Sequence, residues 1–146
     1  MPGEYFVNNN SLQCSFPADL AEVEKVLEHL GSILPAGKDK KVYFNTCLVL
    51  REALNNAIIH GACQDPSLEI FCHIRLEQDR MHLMVHSPGP GFDWQQCLNK
   101  DLSECPSQHG WGVYLIQKYT QGLRFSDQGR RLECWMDLNS GSDNPC

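Results

Sequence analysis

An α+β fold is predicted, a two-layer sandwich in which one mostly antiparallel mixed sheet carries its helices on a single face. Three observations predict it. Several short segments alternate apolar with polar residues, as half-buried strands do, and three longer ones repeat apolar residues at helical spacing. Their order is strand, helix, helix, two strands, loop, helix, two strands, which suits one sheet covered by helices and not a parallel βαβ repeat.

Residues 5–16 are rich in strand formers, and Leu12, Cys14 and Phe16 alternate with polar residues, so this stretch reads as a first strand. Pro17 and Asp19 suit a helix start, after which Leu20, Val23, Leu27, Leu30 and Leu34 recur at helical spacing until Pro35-Ala-Gly37 breaks the pattern. A second helix is expected over 40–60, with Phe44, Leu48, Leu54 and Ile58 on its apolar stripe and Gly61 as a left-handed C-terminal cap. Leu68, Ile70, Cys72, Ile74 and Leu76 alternate strictly, and Glu77-Gln-Asp-Arg80 turns the chain into Met81, Leu83 and Val85, a hairpin with one buried face. Residues 87–109 are rich in Pro, Gly and polar residues without a period, too long for an ordinary connection and suited to a functional loop. A short helix over 110–121 follows. Leu123 and Phe125, a turn at 127–129, and Leu132, Cys134, Met136 and Leu138 then form a closing hairpin. One domain is expected over 1–138, with 139–146 as a flexible tail.

The 146 residues suffice for one core without disulfides or a structural metal. With 42% hydrophobic and 21% charged residues the composition is that of a globular protein, and no apolar run approaches the roughly 20 residues that span a bilayer. Residues 1–7 lack the basic start and apolar stretch of a secretory signal, so a cytoplasmic, reducing setting is expected. None of the eight cysteines forms a Cys-x-x-Cys pair, and Cys47, Cys72 and Cys134 occupy apolar positions of periodic segments, where a thiol is a small hydrophobe. The formal charge of −6, with no Lys/Arg cluster, argues against nucleic acid and leaves a protein partner or a small ligand.

Three motifs carry chemistry. On the second helix Glu52, Asn56 and His60 stand at i, i+4 and i+8, a polar ridge on the side opposite the packing stripe. An amide oxygen there can ligate Mg²⁺, and a carboxylate one turn away can deprotonate a hydroxyl. Ser87-Pro-Gly-Pro-Gly-Phe-Asp93 follows a strand, and its Gly89 and Gly91 let backbone approach a ligand closely. In His109-Gly-Trp-Gly-Val-Tyr-Leu-Ile116, glycines lead into a helix whose free amides and dipole suit a phosphate. Each motif alone is also what a solvated helix face, a tight turn or a plain helix start would use; their joint order and spacing is the informative feature.

In that order and spacing the chain resembles the GHKL ATPases of the Bergerat, or histidine-kinase-like, fold, and among them the anti-sigma-factor serine kinases of bacterial partner-switching systems. Glu52-x-x-x-Asn56-x-x-x-His60-Gly61 looks like the family's N box, Gly89-Pro-Gly91-Phe92 like its G1 box, and Gly110-Trp111-Gly112-Val113-Tyr-Leu-Ile116 like its G2 box. The resemblance implies an ATP- and Mg²⁺-dependent kinase acting on a serine of an anti-anti-sigma (STAS-type) protein. Glu52 would be the base and Asn56 the Mg²⁺ ligand, amides around Gly110 and Gly112 would hold phosphates, and residues 94–109 would form a lid. Nucleotide contacts would also fall at His60, Ser87, Gly89, Gly91, Phe92, Trp111 and Val113. A sigma factor as a further partner, a homodimer, and no contact with nucleic acid or membrane complete the implied picture. The chain departs from the family at the start of the G1 box: Ser87 stands where the family has the Asp that accepts from the adenine amine. A charge-assisted bond of about 1.5–3 kcal/mol thereby becomes a neutral one of about 0.5–1.5 kcal/mol. The lid segment offers Lys100 alone as a cation for the phosphates. Both departures favour an alternative reading as a catalytically weak binding module that holds a sigma factor or its antagonist.

Overall fold

A computed structural model of the chain describes residues 3–34, 40–91 and 111–138. The expected lid, Phe92, Lys100, Gly110 and the 139–146 tail lie outside the described residues. Six strands of the described residues form one sheet: β1 (Glu4–Val7), β2 (Ser11–Pro17), β3 (Glu69–Glu77), β4 (Arg80–His86), β5 (Gly122–Ser126) and β6 (Arg131–Asp137). Their spatial order is β1-β2-β3-β4-β6-β5. Among the described residues three α-helices accompany them, α1 (Val23–Ile33), α2 (Lys40–Asn56) and α3 (Trp111–Tyr119). All five strand pairings are antiparallel, so the parallel step of a mixed sheet does not occur among the described residues.

Register explains why one face is apolar. Leu12 pairs with Ile74, Ile74 with Leu83, and Leu83 with Cys134, so alternate positions of four strands line up on one side. These four residues are fully buried and share one core with Val26 and Leu30 of α1, Val49, Leu50 and Leu54 of α2, and Ile116 of α3. Burial of each such side chain stabilises the fold by about 1.5–3 kcal/mol. Cys14 and Cys72 face each other across β2 and β3 in this core. Burial pushes the Cys134 thiol up to about 12, so it stays protonated and packs as a hydrophobe. No described helix is long and apolar enough to cross a membrane.

Four expectations require correction. The first strand is two: residues 8–10 turn between β1 and β2, with the Asn10 backbone N–H donating to Asn8 Oδ1 at 3.0 Å. Asx-type turn chemistry thus overrides the strand propensity of the flanks. Asp19 does cap, its carboxylate accepting from Ala21 N at 2.9 Å, but it caps a short 3₁₀ turn over Leu20–Glu22, and Leu20 is left exposed. On α2 the stripe runs through Thr46, Val49, Leu50, Ala53 and Leu54, leaving Phe44 65% exposed. Gly61 is not a left-handed cap. The helix passes into a single π turn, Ala57–Gly61, and the positive φ angles fall at Cys63 (53°) and Gln64 (56°).

Candidate functional site

The site lies where α2, α3 and the ends of β4 and β6 meet. Helix α2 supplies Glu52 and Asn56 one turn apart, and the core packing of Ala53 and Leu54 fixes their direction. The first turn of α3 lies directly against them. A methyl group on Gly112 would sit 2.8 Å from Glu52 Oε2, 3.3 Å from Asn56 Nδ2 and 3.4 Å from Asn56 Oδ1. A side chain there would have to push the Glu52 carboxylate aside. The expected polar ridge is therefore not a free helix face: α3 covers it and leaves both residues half-buried.

That cover has electrostatic consequences. Burial pushes the Glu52 carboxyl above the usual carboxylate range, and the neighbouring Arg51 guanidinium pulls it part of the way back. A base raised in this way holds a proton more readily once it has taken one. The Asn56 Nδ2 atom is buried and has no hydrogen-bond partner among the described residues. A buried amide left unmatched costs stability, which fits a group kept for a ligand. Among the described residues no three His, Cys, Asp or Glu side chains cluster as a metal cage, so a cation here would rest on Asn56 and the oxygens of its ligand. The carboxylate, the unmatched amide and the bare Cα of Gly112 at a helix N-terminus together fit Mg²⁺ and phosphate.

The other end of the cleft is built from backbone. Ser87, 1% exposed, donates its N–H to Arg130 O at 2.9 Å, and its Oγ accepts from Gly89 N at 3.5 Å. Gly89 packs so closely on the π turn that a methyl group there would lie 1.7 Å from Gly61 O. Gly91 adopts φ +84° against Gln128 O. The turn between β5 and β6 closes this end, its Asp127 and Gln128 held at φ 52° and 59°. Arg130 reaches across from it, donating from Nε to Gly89 O at 2.8 Å and from Nη1 to Gln128 Oε1 at 3.1 Å. Between the two ends the cleft narrows to a void of about 10 Å³, room for no more than one water, lined by Ala53, Ala57, Val85, Phe125 and Leu132 as apolar walls and by Asn56, Ser87, Gly129 and Arg130.

Thus Glu52, Asn56 and Gly112 meet at one end, and Ser87, Gly89 and Gly91 form the other. His60 sits in the π turn, beyond the α-helical register that would have stacked it above Asn56, and is half-buried. Val113 is wholly buried in the core, which leaves its backbone as the part that could face a ligand. Trp111 opens α3. Arg130 is the residue that sequence reasoning missed. Its turn was legible, but its place in the cleft follows from β6 lying beside β4, which no local signal encodes.

No curated protein matches the chain. The family model of the histidine kinase-like ATPase domain matches residues 16–136, from the last two residues of β2 through nearly all of β6, with both ends of the cleft inside it. With that span matched, and a fold of helices on one face of an open antiparallel sheet, the chain belongs to the histidine kinase-like ATPase domain family.

Proposed function

We propose that this chain is a serine-protein kinase of the anti-sigma-factor type, transferring the γ-phosphoryl group of MgATP to a serine of an anti-anti-sigma (STAS-type) partner. Family membership itself implies ATP binding, generally with Mg²⁺. The observation that carries the kinase reading is the meeting of Glu52, Asn56 and Gly112 at the start of α3. In this reading Asn56 would hold a Mg²⁺ ion, which would supply charge stabilisation to the transferred group.

Glu52 accepts the proton of the partner's serine hydroxyl as its oxygen bonds to the γ-phosphorus and the bond to the bridging β–γ oxygen breaks, releasing the diphosphate. Half-burial favours this role twice: it raises the basicity of the carboxylate and limits competition from water. The N-terminus of α3 stabilises phosphate charge through backbone N–H groups, which the absence of a side chain on Gly112 leaves approachable. The homodimer and the sigma factor implied by the resemblance belong to the same proposal.

A second reading rests on Ser87, a buried neutral residue where a charged acceptor would hold adenine. Weak nucleotide binding would make the chain a partner-holding module. Incubation with labelled MgATP and candidate STAS-type proteins separates the two. Label on a partner serine, dependent on Glu52, supports the kinase. Nucleotide binding and partner binding without transfer would establish the module.

A further inference from the structure

Helix α2 carries more than the site. Between Lys40 and Arg51 it holds three cations, Lys40, Lys41 and Arg51, and no acid, although the whole chain has a formal charge of −6. Phe44 stands among them, 65% exposed. The buried side of the helix runs through Thr46, Val49, Leu50, Ala53 and Leu54, so Phe44, Leu48, Arg51 and Asn55, at i, i+4, i+7 and i+11, form the opposite face. Leu48 and Arg51 are half-buried, and Arg51 donates to Glu24 of α1. An exposed aromatic ring beside cations is the composition that protein interfaces favour, and the local positive charge on an acidic chain suits an acidic partner.

Direction decides what can sit there. Gly61, at the far end of the π turn, faces Ser87, whereas Glu52 and Asn56 face Gly112. In the proposed reading the phosphates lie at the Gly112 end and the base toward Ser87. Phosphoryl transfer proceeds in line, so the attacking oxygen arrives opposite the leaving one. The serine therefore comes from beyond Glu52, along the half of α2 that leads away from Ser87, and that half carries Phe44. Eight residues of helix put Phe44 about 12 Å from Glu52 along the axis. A standard interface covers about 800 Å² on each partner, a patch of roughly 16 Å radius, so a protein seated with its serine at Glu52 also covers Phe44.

We infer that the exposed face of α2 between Lys40 and Arg51 docks the protein substrate, with Phe44 as its apolar anchor. The partner meets it with an apolar side chain flanked by acids, close to the acceptor serine. The inference rests on the proposal that Glu52 takes the proton of a protein serine, and it deepens that proposal by naming the surface that selects the partner.

Label transfer from MgATP, measured against the concentration of a STAS-type protein that accepts label from the wild type, tests it. Phe44→Ser should raise KM for that protein at least about tenfold, with kcat and MgATP affinity each changed less than about twofold. Phe44→Leu should recover most of the loss. Lys40→Glu should raise KM about threefold at low salt and less at high salt. Phe6→Ser, which removes an equally exposed phenylalanine from the edge strand β1, should leave KM as it is. Thermal unfolding checks that each variant folds, and Lys40→Glu carries the test if Phe44→Ser does not. An unchanged KM in folded Phe44→Ser overturns the inference and leaves the kinase reading standing. So does an equal rise in Phe6→Ser, which would show that any exposed ring serves. A fall in kcat at unchanged KM also overturns it, since docking acts on KM. If no STAS-type protein accepts label from the wild type, the kinase reading fails and this inference with it.

Discussion

The two ends of the cleft are made differently. At the α3 end, side chains of α2 face a bare Cα: Glu52 and Asn56 meet Gly112, and the neighbours are the mobile tips of side chains. At the β5–β6 end, backbone meets backbone: Gly89 lies on Gly61 O and Gly91 on Gln128 O, with Arg130 laid across them. The first end can change its chemistry without disturbing the fold. The second cannot change without shifting two elements. Function and stability should therefore separate along the cleft, and substitutions can show whether they do.

The largest effect is expected at Asn56. Asn56→Ala should abolish Mg²⁺-dependent nucleotide binding, as loss of a metal ligand does, while the fold holds or gains stability because an unmatched buried amide disappears. MgADP affinity equal to wild type would remove Asn56 from the metal site. Next comes Glu52→Gln, with phosphoryl transfer to a cognate partner down at least about a hundredfold and nucleotide binding nearly intact. Its pH signature has a definite sign. Because burial raises the Glu52 carboxyl, wild-type transfer should switch on with rising pH above the usual carboxylate range. By linkage, a raised acid adds stability only at low pH and loses it as pH rises through the folded value, so Glu52→Gln should unfold at a higher temperature than wild type at neutral pH. Equal rates in a labelled-nucleotide assay would take Glu52 out of the mechanism.

The same substitution at the two ends gives the sharpest contrast. Gly89→Ala places a methyl 1.7 Å from a backbone oxygen, so the π turn or the β4 end must move, at about 1–3 kcal/mol or more. In Gly112→Ala the new methyl meets the Glu52 carboxylate at 2.8 Å, and a side chain can swing aside. Thermal unfolding should therefore fall by several degrees for Gly89→Ala and barely move for Gly112→Ala, with transfer activity lost in the latter. Matching melting temperatures would mean that the two ends are built alike after all.

How much of this was legible depended on the range of the signal. Glu52 and Asn56 could be read because helical spacing is local. The sheet's inner face could be read because Ile70, Cys72, Ile74 and Leu76 alternate without interruption. Phe44 misled because an apolar residue at helical spacing says nothing about whether another element covers it, and here none of the described ones does. Gly61 was legible as a special position but not for its reason: close approach of the Ser87 side chain, not a left-handed φ, excludes a side chain. Arg130 could not be read at all, since its distance from Gly89 is set by the pairing of β4 with β6.

The smallest expected effect tests the base end most directly. Ser87 is buried beside Arg130, and its Oγ lies 2.7 Å from where a Gly61 methyl would be, so the bare Cα of Gly61 is what makes room for it. Ser87→Asp should put a carboxylate opposite the adenine amine, replacing a neutral bond by a charge-assisted one. The gain would be roughly 1 kcal/mol, five- to tenfold in ATP affinity, and the Arg130 guanidinium should hold it near the lower figure by competing for the new charge. The same guanidinium makes the buried carboxylate tolerable, so unfolding should shift little. Affinity for GTP should fall, because a carboxylate facing a carbonyl oxygen is repulsive, so discrimination in favour of ATP should improve. Dissociation constants for both nucleotides, in wild type and variant at one salt concentration, decide the matter. A ratio that does not move would mean that position 87 does not face the base, and that the departure from the family's acidic residue carries no functional weight.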